Sequence, residues 1–70
     1  YMTNSTLIKI YKNIKKLRLE KGYSQAKFAE LTGLSEDYIS LIENGKRTPS
    51  LKRLIIIADI LEIDAYKLLM

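Results

Sequence analysis

Three glycines and a single proline divide this 70-residue chain at short intervals, and the apolar residues around them repeat with helical spacing. The breaks fall at Gly22, Gly33, Gly45 and Pro49. Apolar residues that recur every three or four positions line one face of a helix, whereas strict alternation is typical of a strand. The sequence therefore predicts several short helices that pack on one another, and it shows no strand pattern.

The helix signals predict about five short helices, so the expected fold class is an all-α bundle. Serine or aspartate stands before each of the later helices, where its oxygen can accept from the free N–H groups of a first turn. A glycine follows each of the first three helices, where a left-handed residue can end a helix. The fifth helix is predicted from Ala65 to Leu69, and the predicted N-caps are Ser24, Ser35, Ser50 and Asp64. The predicted core residues are Leu7, Ile10, Tyr11, Ile14, Leu17, Phe28, Ala29, Leu31, Tyr38, Ile39, Ile42, Leu51, Leu54, Ile57, Ala58 and Leu61.

A chain of this length forms one small domain, here residues 1–70, with a thin margin of stability. Residues 1–5 are expected to be a disordered tail or a cloning remnant. The sequence has no Cys and no His, which excludes zinc sites of the usual kind, thiol nucleophiles and imidazole bases. A metal site built from carboxylates alone is still formally possible, but the carboxylates are scattered along the sequence. No metal, cofactor or small-molecule ligand is expected.

Targeting signals are missing from the sequence. The longest unbroken apolar run, Leu54 to Ala58, is far shorter than the ~20 residues of a membrane span. The stretch from Thr3 to Lys9 is too polar for the apolar part of a secretory signal. The absence of cysteine fits a reducing compartment. We therefore expect a cytoplasmic protein without a membrane segment.

The segment most informative about function runs from Ser24 to Gly45 and reads SQAKFAELTGLSEDYISLIENG. It contains a short helix, the turn Thr32-Gly33-Leu34 and a second short helix. Glycine at the bend and the small Ala29 where the helices approach would let them cross steeply. With Ile39 and Ile42 turned to the core, the other face of the second helix is free. This is the helix-turn-helix arrangement, in which that helix enters a DNA major groove.

From about Ile14 to Leu69 the chain resembles the Cro/CI-type (XRE) helix-turn-helix domains of phage repressors and bacterial regulators. The residues that carry the resemblance read IKKLRLEKGYSQAKFAELTGLSEDYISLIENGKRTPSL, followed by the pattern L..IA..L.I. The resemblance implies a lambda-repressor-like fold with the helix-turn-helix at helices 2 and 3. It also implies a transcriptional regulator that reads a palindromic operator in double-stranded DNA through helix 36–43.

The resemblance further implies roles for individual residues. Gln25 would hydrogen-bond a backbone phosphate and brace the recognition helix, since its amide can both donate and accept. Arg18 and Glu43 would form a structural ion pair between the first and third helices. The residues implied at the DNA interface are Ser24, Gln25, Ser35, Glu36, Asp37, Tyr38, Ser40, Leu41, Asn44, Lys46, Arg47 and Thr48.

Several of these residues also have a plainer interpretation. Gln25 fits an ordinary surface residue, and the serines are helix caps first. The lysines of the first helix fit a solvated face. Lys46 and Arg47 differ from them, because two cations in a loop beside a helix end are well placed to contact phosphate.

Three positions depart from the family pattern. Glu62 stands where glycine often ends the fourth helix, so that turn is expected to differ. Thr32 stands where an aliphatic residue is commoner, and Leu31 stands where a polar one is. The residues alone give no reason for this exchange.

The net charge of +4 favours a polyanionic partner, but it is unevenly distributed. Residues 1–30 carry +5 and residues 46–53 carry +4, whereas residues 31–45 carry −3. Between Ser35 and Glu43 there is no Arg, Lys, Gln or Asn, the side chains that most often read guanine and adenine. We therefore expect modest affinity, with much of it supplied by phosphate contacts from the flanks.

The fourth helix carries more apolar side chains than one buried face needs, since Ile55, Ile56 and Ile60 lie off its core stripe. A small monomer seldom exposes so much apolar surface. Either the fifth helix covers part of it, or a homodimer forms there, which suits a palindrome with half-sites about one helical turn apart. The candidate interface residues are Ile56, Ile60, Tyr66, Leu69 and Met70.

The leading function is thus a DNA-binding repressor that occupies an operator and excludes polymerase. An antitoxin-type regulator whose main partner is another protein is a related alternative. A helical protein-interaction module is the second class, favoured by the acidic recognition helix and the spare apolar patch. An enzyme is not expected, because adjacent Glu36 and Asp37 diverge around a helix and no serine has a base to activate it.

Overall fold

The described residues fold into four α-helices and one short 3₁₀ helix, with no strand among them. This computed structural model describes the backbone of residues 4–69 and the side chains of residues 7–68. The all-α prediction is confirmed. The elements are α1 (Asn4–Glu20), α2 (Gln25–Thr32), α3 (Glu36–Glu43), α4 (Leu51–Leu61) and the 3₁₀ helix (Ala65–Leu69).

Both ends of the chain differ from the sequence-based expectation. Asn4 and Ser5 belong to α1 and not to a terminal tail, while residues 1–3 lie outside the described part of the chain. The expected fifth helix is a 3₁₀ helix of five residues. Short segments adopt this tighter geometry more readily than long ones.

Serine side chains begin three of the helices, at the positions that the sequence predicts. The Ser24 Oγ accepts from the Lys27 N–H at 3.0 Å. Ser35 and Ser50 accept from the third residue after them in the same way, at 3.0 and 3.3 Å. Each bond satisfies one of the N–H groups that a first helical turn leaves without a partner.

The end of α4 is made by Glu62, whose φ of 60° is left-handed although the residue is not glycine. Helix closure is nevertheless regular, because the Ile63 N–H donates to the Ala58 carbonyl at 3.1 Å. The Lys21 Nζ donates to the Glu62 carboxylate at 2.7 Å. This hydrogen bond lowers the pKa of the Glu62 carboxyl and raises the pKa of the Lys21 ammonium.

One apolar core joins the helices. Its largest fully buried side chains come from every element, and each is worth about 1.5–3 kcal/mol of burial free energy. The 3₁₀ helix is fastened to α1 because the Asn13 Nδ2 donates to the Leu68 carbonyl at 3.0 Å. The fully buried large residues are Ile10, Ile14, Phe28, Ile39, Ile42, Ile57, Leu61 and Leu68.

Two leucines that the helical pattern assigned to the core lie outside it. Leu51 is 72% exposed and Leu31 is 37% exposed. A helical stripe is buried only where another element covers it, and Leu51 lies beyond the covered part. In α2 the buried position belongs to Thr32, whose hydroxyl donates to the Phe28 carbonyl at 2.8 Å. This bond satisfies the buried hydroxyl and explains how threonine stands where an aliphatic residue is commoner.

Neither a membrane-spanning helix nor a cluster of metal ligands is found among the described residues. Across residues 4–69, no helix combines the length and the apolarity that crossing a membrane would require. Nor do three or more acidic side chains converge there as metal ligands would.

Candidate nucleic-acid interface

The turn between α2 and α3 is formed by Gly33, Leu34 and Ser35. Gly33 has a φ of 74°, a left-handed conformation that glycine adopts without a steric penalty. The Leu34 N–H donates to the Ala29 carbonyl at 3.1 Å. Ala29 itself is buried beside this turn. Two short helices joined by a tight turn of this kind form a helix-turn-helix.

Helix α3 has a buried face and a free face. Its apolar residues Ile39 and Ile42 are fully buried. The opposite side carries two carboxylates, one hydroxyl and one leucine, so it is acidic, as the sequence indicates. The residues of the free face are Glu36, Asp37 and Leu41, which are exposed, and Ser40, which is half-buried.

A buried ion pair holds α3 to α1. The Arg18 Nε donates to the Glu43 Oε2 at 2.7 Å, and the Arg18 Nη2 donates to the Glu43 Oε1 at 3.0 Å. The Arg18 Nη1 also donates to the Tyr23 carbonyl at 2.7 Å. The arginine thus binds the carboxylate with two parallel bonds and reaches the turn before α2 with a third, which fixes α3 relative to both elements.

Gln25 joins the same network. Its Nε2 donates to the Glu43 Oε1 at 3.2 Å, and its side chain is half-buried. We expected this amide to contact a DNA phosphate and to brace the recognition helix. In the structure one of its N–H groups donates to Glu43 of α3. The second amide hydrogen is available to another acceptor.

The loop after α3 begins with a close contact. Gly45 has a φ of 72°, and a Cβ added to it would lie 2.6 Å from Cε2 of the Tyr11 ring. Any other residue would require the Tyr11 ring to shift and would have to adopt the left-handed φ that favours glycine. Beyond it, Lys46, Arg47 and Thr48 are exposed. Asn44 is exposed as well, and its Nδ2 donates to the Ser40 Oγ at 3.3 Å.

Tyr38 was expected both in the core and at the DNA interface, and the structure places it among the buried residues of α3. It is only 9% exposed, and its hydroxyl is buried without a hydrogen-bond partner among the described residues. The Cζ atoms of Arg47 and Arg53 lie 5.1 and 4.9 Å from the centre of its ring. The structure thus places Tyr38 between the core and two arginines, because its position on α3 adjoins the buried face.

Arg53 was not among the expected interface residues. It lies in the first turn of α4 and is exposed, and its Cζ is about as close to the centre of the Tyr38 ring as that of Arg47. The only signal in the sequence is the +4 charge of residues 46–53. That charge does not distinguish Arg53 from its neighbours, since only the tertiary structure brings the ring of Tyr38 beneath it.

The candidate dimer residues differ in how far they are exposed to solvent. Tyr66 is 58% exposed, whereas Ile56 is half-buried and Ile60 packs partly against the core. Ile55, at 45% exposed, is more accessible than either of them. The side chain of Leu69 and the whole of Met70 lie outside the described residues.

Residues 14–68 match the family model described as helix-turn-helix. The match covers most of the chain and includes α2, α3 and the turn between them. The chain belongs to this helix-turn-helix family, which agrees with the resemblance drawn from its motifs.

Curated relatives come from Bacillus and from one of its phages. The HTH-type transcriptional regulator SinR of Bacillus subtilis (strain 168) is 38% identical over 61 residues, which are 86% of this chain and 55% of SinR. The ImmF control region 10 kDa protein of Bacillus phage phi105 is 43% identical over 51 residues, which are 73% of this chain and 57% of that protein. The chain spans about half the length of the curated relatives it matches.

Solved structures share the fold over nearly the whole chain. SinR, the master regulator for biofilm formation, crystallised in complex with DNA, superposes with a TM-score of 0.83 at 35% identity and covers 87% of this chain and 98% of that one. The restriction-modification controller protein C.AhdI from Aeromonas hydrophila gives 0.85 at 34% identity, with 91% and 97% covered. Proteins of these two kinds share the arrangement of helices described above.

Proposed function

We propose that this chain is a sequence-specific DNA-binding transcriptional regulator that places α3 in the major groove of double-stranded DNA. The observation that carries the proposal is the free face of α3, flanked by cations that have no carboxylate partner among the described residues. A helix presented in this way by a helix-turn-helix fits the width of the major groove. The similarity to SinR, which has been crystallised with DNA, supports the proposal.

Phosphate contacts come from both ends of the helix-turn-helix. Lys46, Arg47 and Thr48 follow α3, where exposed cations and a hydroxyl can approach the backbone. On the other side, Ser24 and Gln25 stand at the start of α2, whose free N–H groups favour an anion. The spare hydrogen of the Gln25 amide can donate to the same phosphate while the other stays on Glu43.

Base contacts come from the free face of α3. Glu36 and Asp37 can accept from the exocyclic amine of cytosine, and Leu41 can pack on a thymine methyl group. Ser35 and Ser40 add hydroxyls that can donate or accept. Because the two carboxylates also approach phosphate, affinity is modest and the flanking cations supply much of it.

A homodimer is the proposed binding form. The exposed side chains of Ile55 and Tyr66, with the half-buried Ile56, offer an apolar surface on α4 and the 3₁₀ helix. A two-fold dimer presents two copies of α3 to a palindrome. We further propose that the protein acts in the cytoplasm, without catalysis, by occupying an operator and excluding polymerase.

Selection of bound duplexes from a random DNA library tests binding, sequence preference and half-site spacing together. We expect an enriched palindromic sequence and a binding constant that falls steeply as salt rises, through release of counterions. If no sequence is enriched and random DNA binds equally well, the specific-regulator proposal is wrong.

Matched charge variants locate the interface on the protein. Lys46→Gln removes an exposed cation beside α3, and Lys67→Gln removes an exposed cation from the 3₁₀ helix. We expect Lys46→Gln to lower the slope of log binding constant against log salt concentration by roughly 1 and Lys67→Gln to leave it unchanged. Equal losses would show that the charge contribution is general and would contradict docking through α3.

A further inference from the structure

One aromatic ring gathers two arginines from different elements. Arg47 belongs to the loop after α3 and Arg53 to the first turn of α4, yet both guanidinium carbons lie about 5 Å from the centre of the Tyr38 ring. Both distances are within the range in which the face of a ring attracts a cation. The ring is buried and therefore fixed, whereas both arginines are exposed.

No acidic side chain among the described residues neutralises the two arginines. Neither has a carboxylate within ion-pair distance among the described residues. Since each guanidinium carbon lies about 5 Å from the same ring centre, the two like charges are at most about 10 Å apart and repel each other. An anion contacted by both would relieve that repulsion. A guanidinium above a ring keeps its in-plane N–H groups free, and these match phosphate oxygens in paired hydrogen bonds.

We infer that Arg47 and Arg53, held by the ring of Tyr38, form a site for one backbone phosphate of the DNA beside α3. The inference rests on the proposed function and deepens it by adding Arg53 and Tyr38 to the interface. Arg47 and Arg53 contact the phosphate, whereas Tyr38 is a positioning residue that acts only through them. The phosphate belongs to a duplex because the site adjoins α3 and lies within the +4 segment of residues 46–53.

The test measures binding by fluorescence anisotropy across a series of KCl concentrations. The probe is a fluorescein-labelled duplex of mixed sequence about two helical turns long. Because the site holds one phosphate, Arg53→Gln lowers the slope of log binding constant against log salt concentration by about 1. Tyr38→Leu lowers it by up to the same amount, and the combined variant loses no more than Arg53→Gln alone. An unchanged slope in Tyr38→Leu, or a fully additive loss in the combined variant, would overturn the inference.

Lys52→Gln is the matched control, because Lys52 is an exposed cation next to Arg53 in sequence, whereas the cation–π contacts of the Tyr38 ring are with Arg47 and Arg53. Whatever Lys52→Gln loses adds fully to the loss from Tyr38→Leu, since Lys52 does not depend on the ring. A loss from Lys52→Gln that disappears in the Tyr38→Leu background would show that Tyr38 acts on the whole surface and would contradict its specific role.

Two conservative variants keep the test valid if Tyr38→Leu fails to fold, which circular dichroism checks. Tyr38→Phe keeps the ring face and is expected to bind like the wild type. Arg53→Lys keeps the charge but not the planar group, and is expected to lose affinity. A loss in Tyr38→Phe, or wild-type binding by Arg53→Lys, would overturn the arrangement.

A separate measurement distinguishes this inference from the proposed function. In the DNA-free protein, the Nε–Hε NMR signals of Arg47 and Arg53 should be shifted by the ring current of Tyr38, and the shift should be lost in Tyr38→Leu. If the wild type binds no duplex while these shifts are present, the proposed function fails and the phosphate site fails with it. If the wild type binds with no dependence on Tyr38, only the phosphate site fails.

Discussion

Two ion pairs connect the end of α1 and the turn after it to the ends of later helices, and the two pairs differ in burial. Their cations, Arg18 and Lys21, are only three positions apart. Arg18–Glu43 and Lys21–Glu62 both have a closest contact of 2.7 Å. The side chains of the first pair are 6% and 2% exposed, whereas those of the second are 33% and 74% exposed. Water screens the exposed pair Lys21–Glu62, called the outer pair below. In the buried pair Arg18–Glu43, called the inner pair, the loss of one partner leaves the other charge buried without a partner. The contact distance alone therefore does not show which pair contributes more to stability.

The largest expected effect is that of Glu43→Ala. It leaves the Arg18 guanidinium buried without its carboxylate, and breaking a buried pair in this way costs about 3–5 kcal/mol of unfolding free energy. Chemical denaturation followed by circular dichroism measures it. The matched variant Glu62→Ala removes the exposed carboxylate and is expected to have little effect. Equal losses of unfolding free energy in the two variants would refute the argument that burial makes the first pair contribute more to stability.

A third contact of α1 is the close approach of its Tyr11 ring to Gly45. Gly45→Ala tests whether disturbing this contact lowers the free energy of unfolding as much as breaking the inner pair does. The new methyl group meets the Tyr11 ring and the residue must keep a left-handed φ, so we expect a loss of about 2–4 kcal/mol. Gly33→Ala is the control, because its φ is similar but its Cβ meets open space. It should cost about 1–2 kcal/mol, the backbone term alone. Identical losses would mean that Tyr11 simply moves aside.

Gln25→Ala separates the inner network into its charged and neutral parts. The variant removes one hydrogen bond to Glu43 and leaves both bonds from Arg18 in place. We expect a loss of about 1–2 kcal/mol, since a bond to a charged group contributes more than a neutral one. A loss as large as that of Glu43→Ala would show that Arg18 does not hold the carboxylate by itself.

The smallest effect concerns the outer pair and its dependence on pH. The pKa of the Glu62 carboxyl is lowered from its ordinary 4.5, so its contribution is present above that pH and disappears as pH falls through the lowered value. The pKa of the Lys21 ammonium is raised from 10.5, so its contribution is present below 10.5 and disappears as pH rises through the raised value. The difference in unfolding midpoint between wild type and Glu62→Gln should vanish in acid and in high salt. A difference that persists in acid would contradict this assignment.

The α-helices were predictable because their signals are local. Caps such as Ser24 and Ser35 act on N–H groups three residues away, and left-handed glycines act on the turn that they end. The acidic free face of α3 was predictable for the same reason, since helical spacing fixes which residues share a side. The misplaced Leu51 and Leu31 mark where this reasoning stops, because burial also depends on which element lies opposite.

The sequence by itself determined the all-α class, the helix-turn-helix at α2 and α3, and the uneven charge, since each depends on residues close together in the chain or on their sum. Only the tertiary structure decided that Tyr38 lies beneath Arg47 and Arg53, and that Gln25 donates to Glu43. The physical reason is that these contacts join separate elements. Spacing along a chain fixes the face on which a side chain lies, but the packing of helices fixes what that face meets.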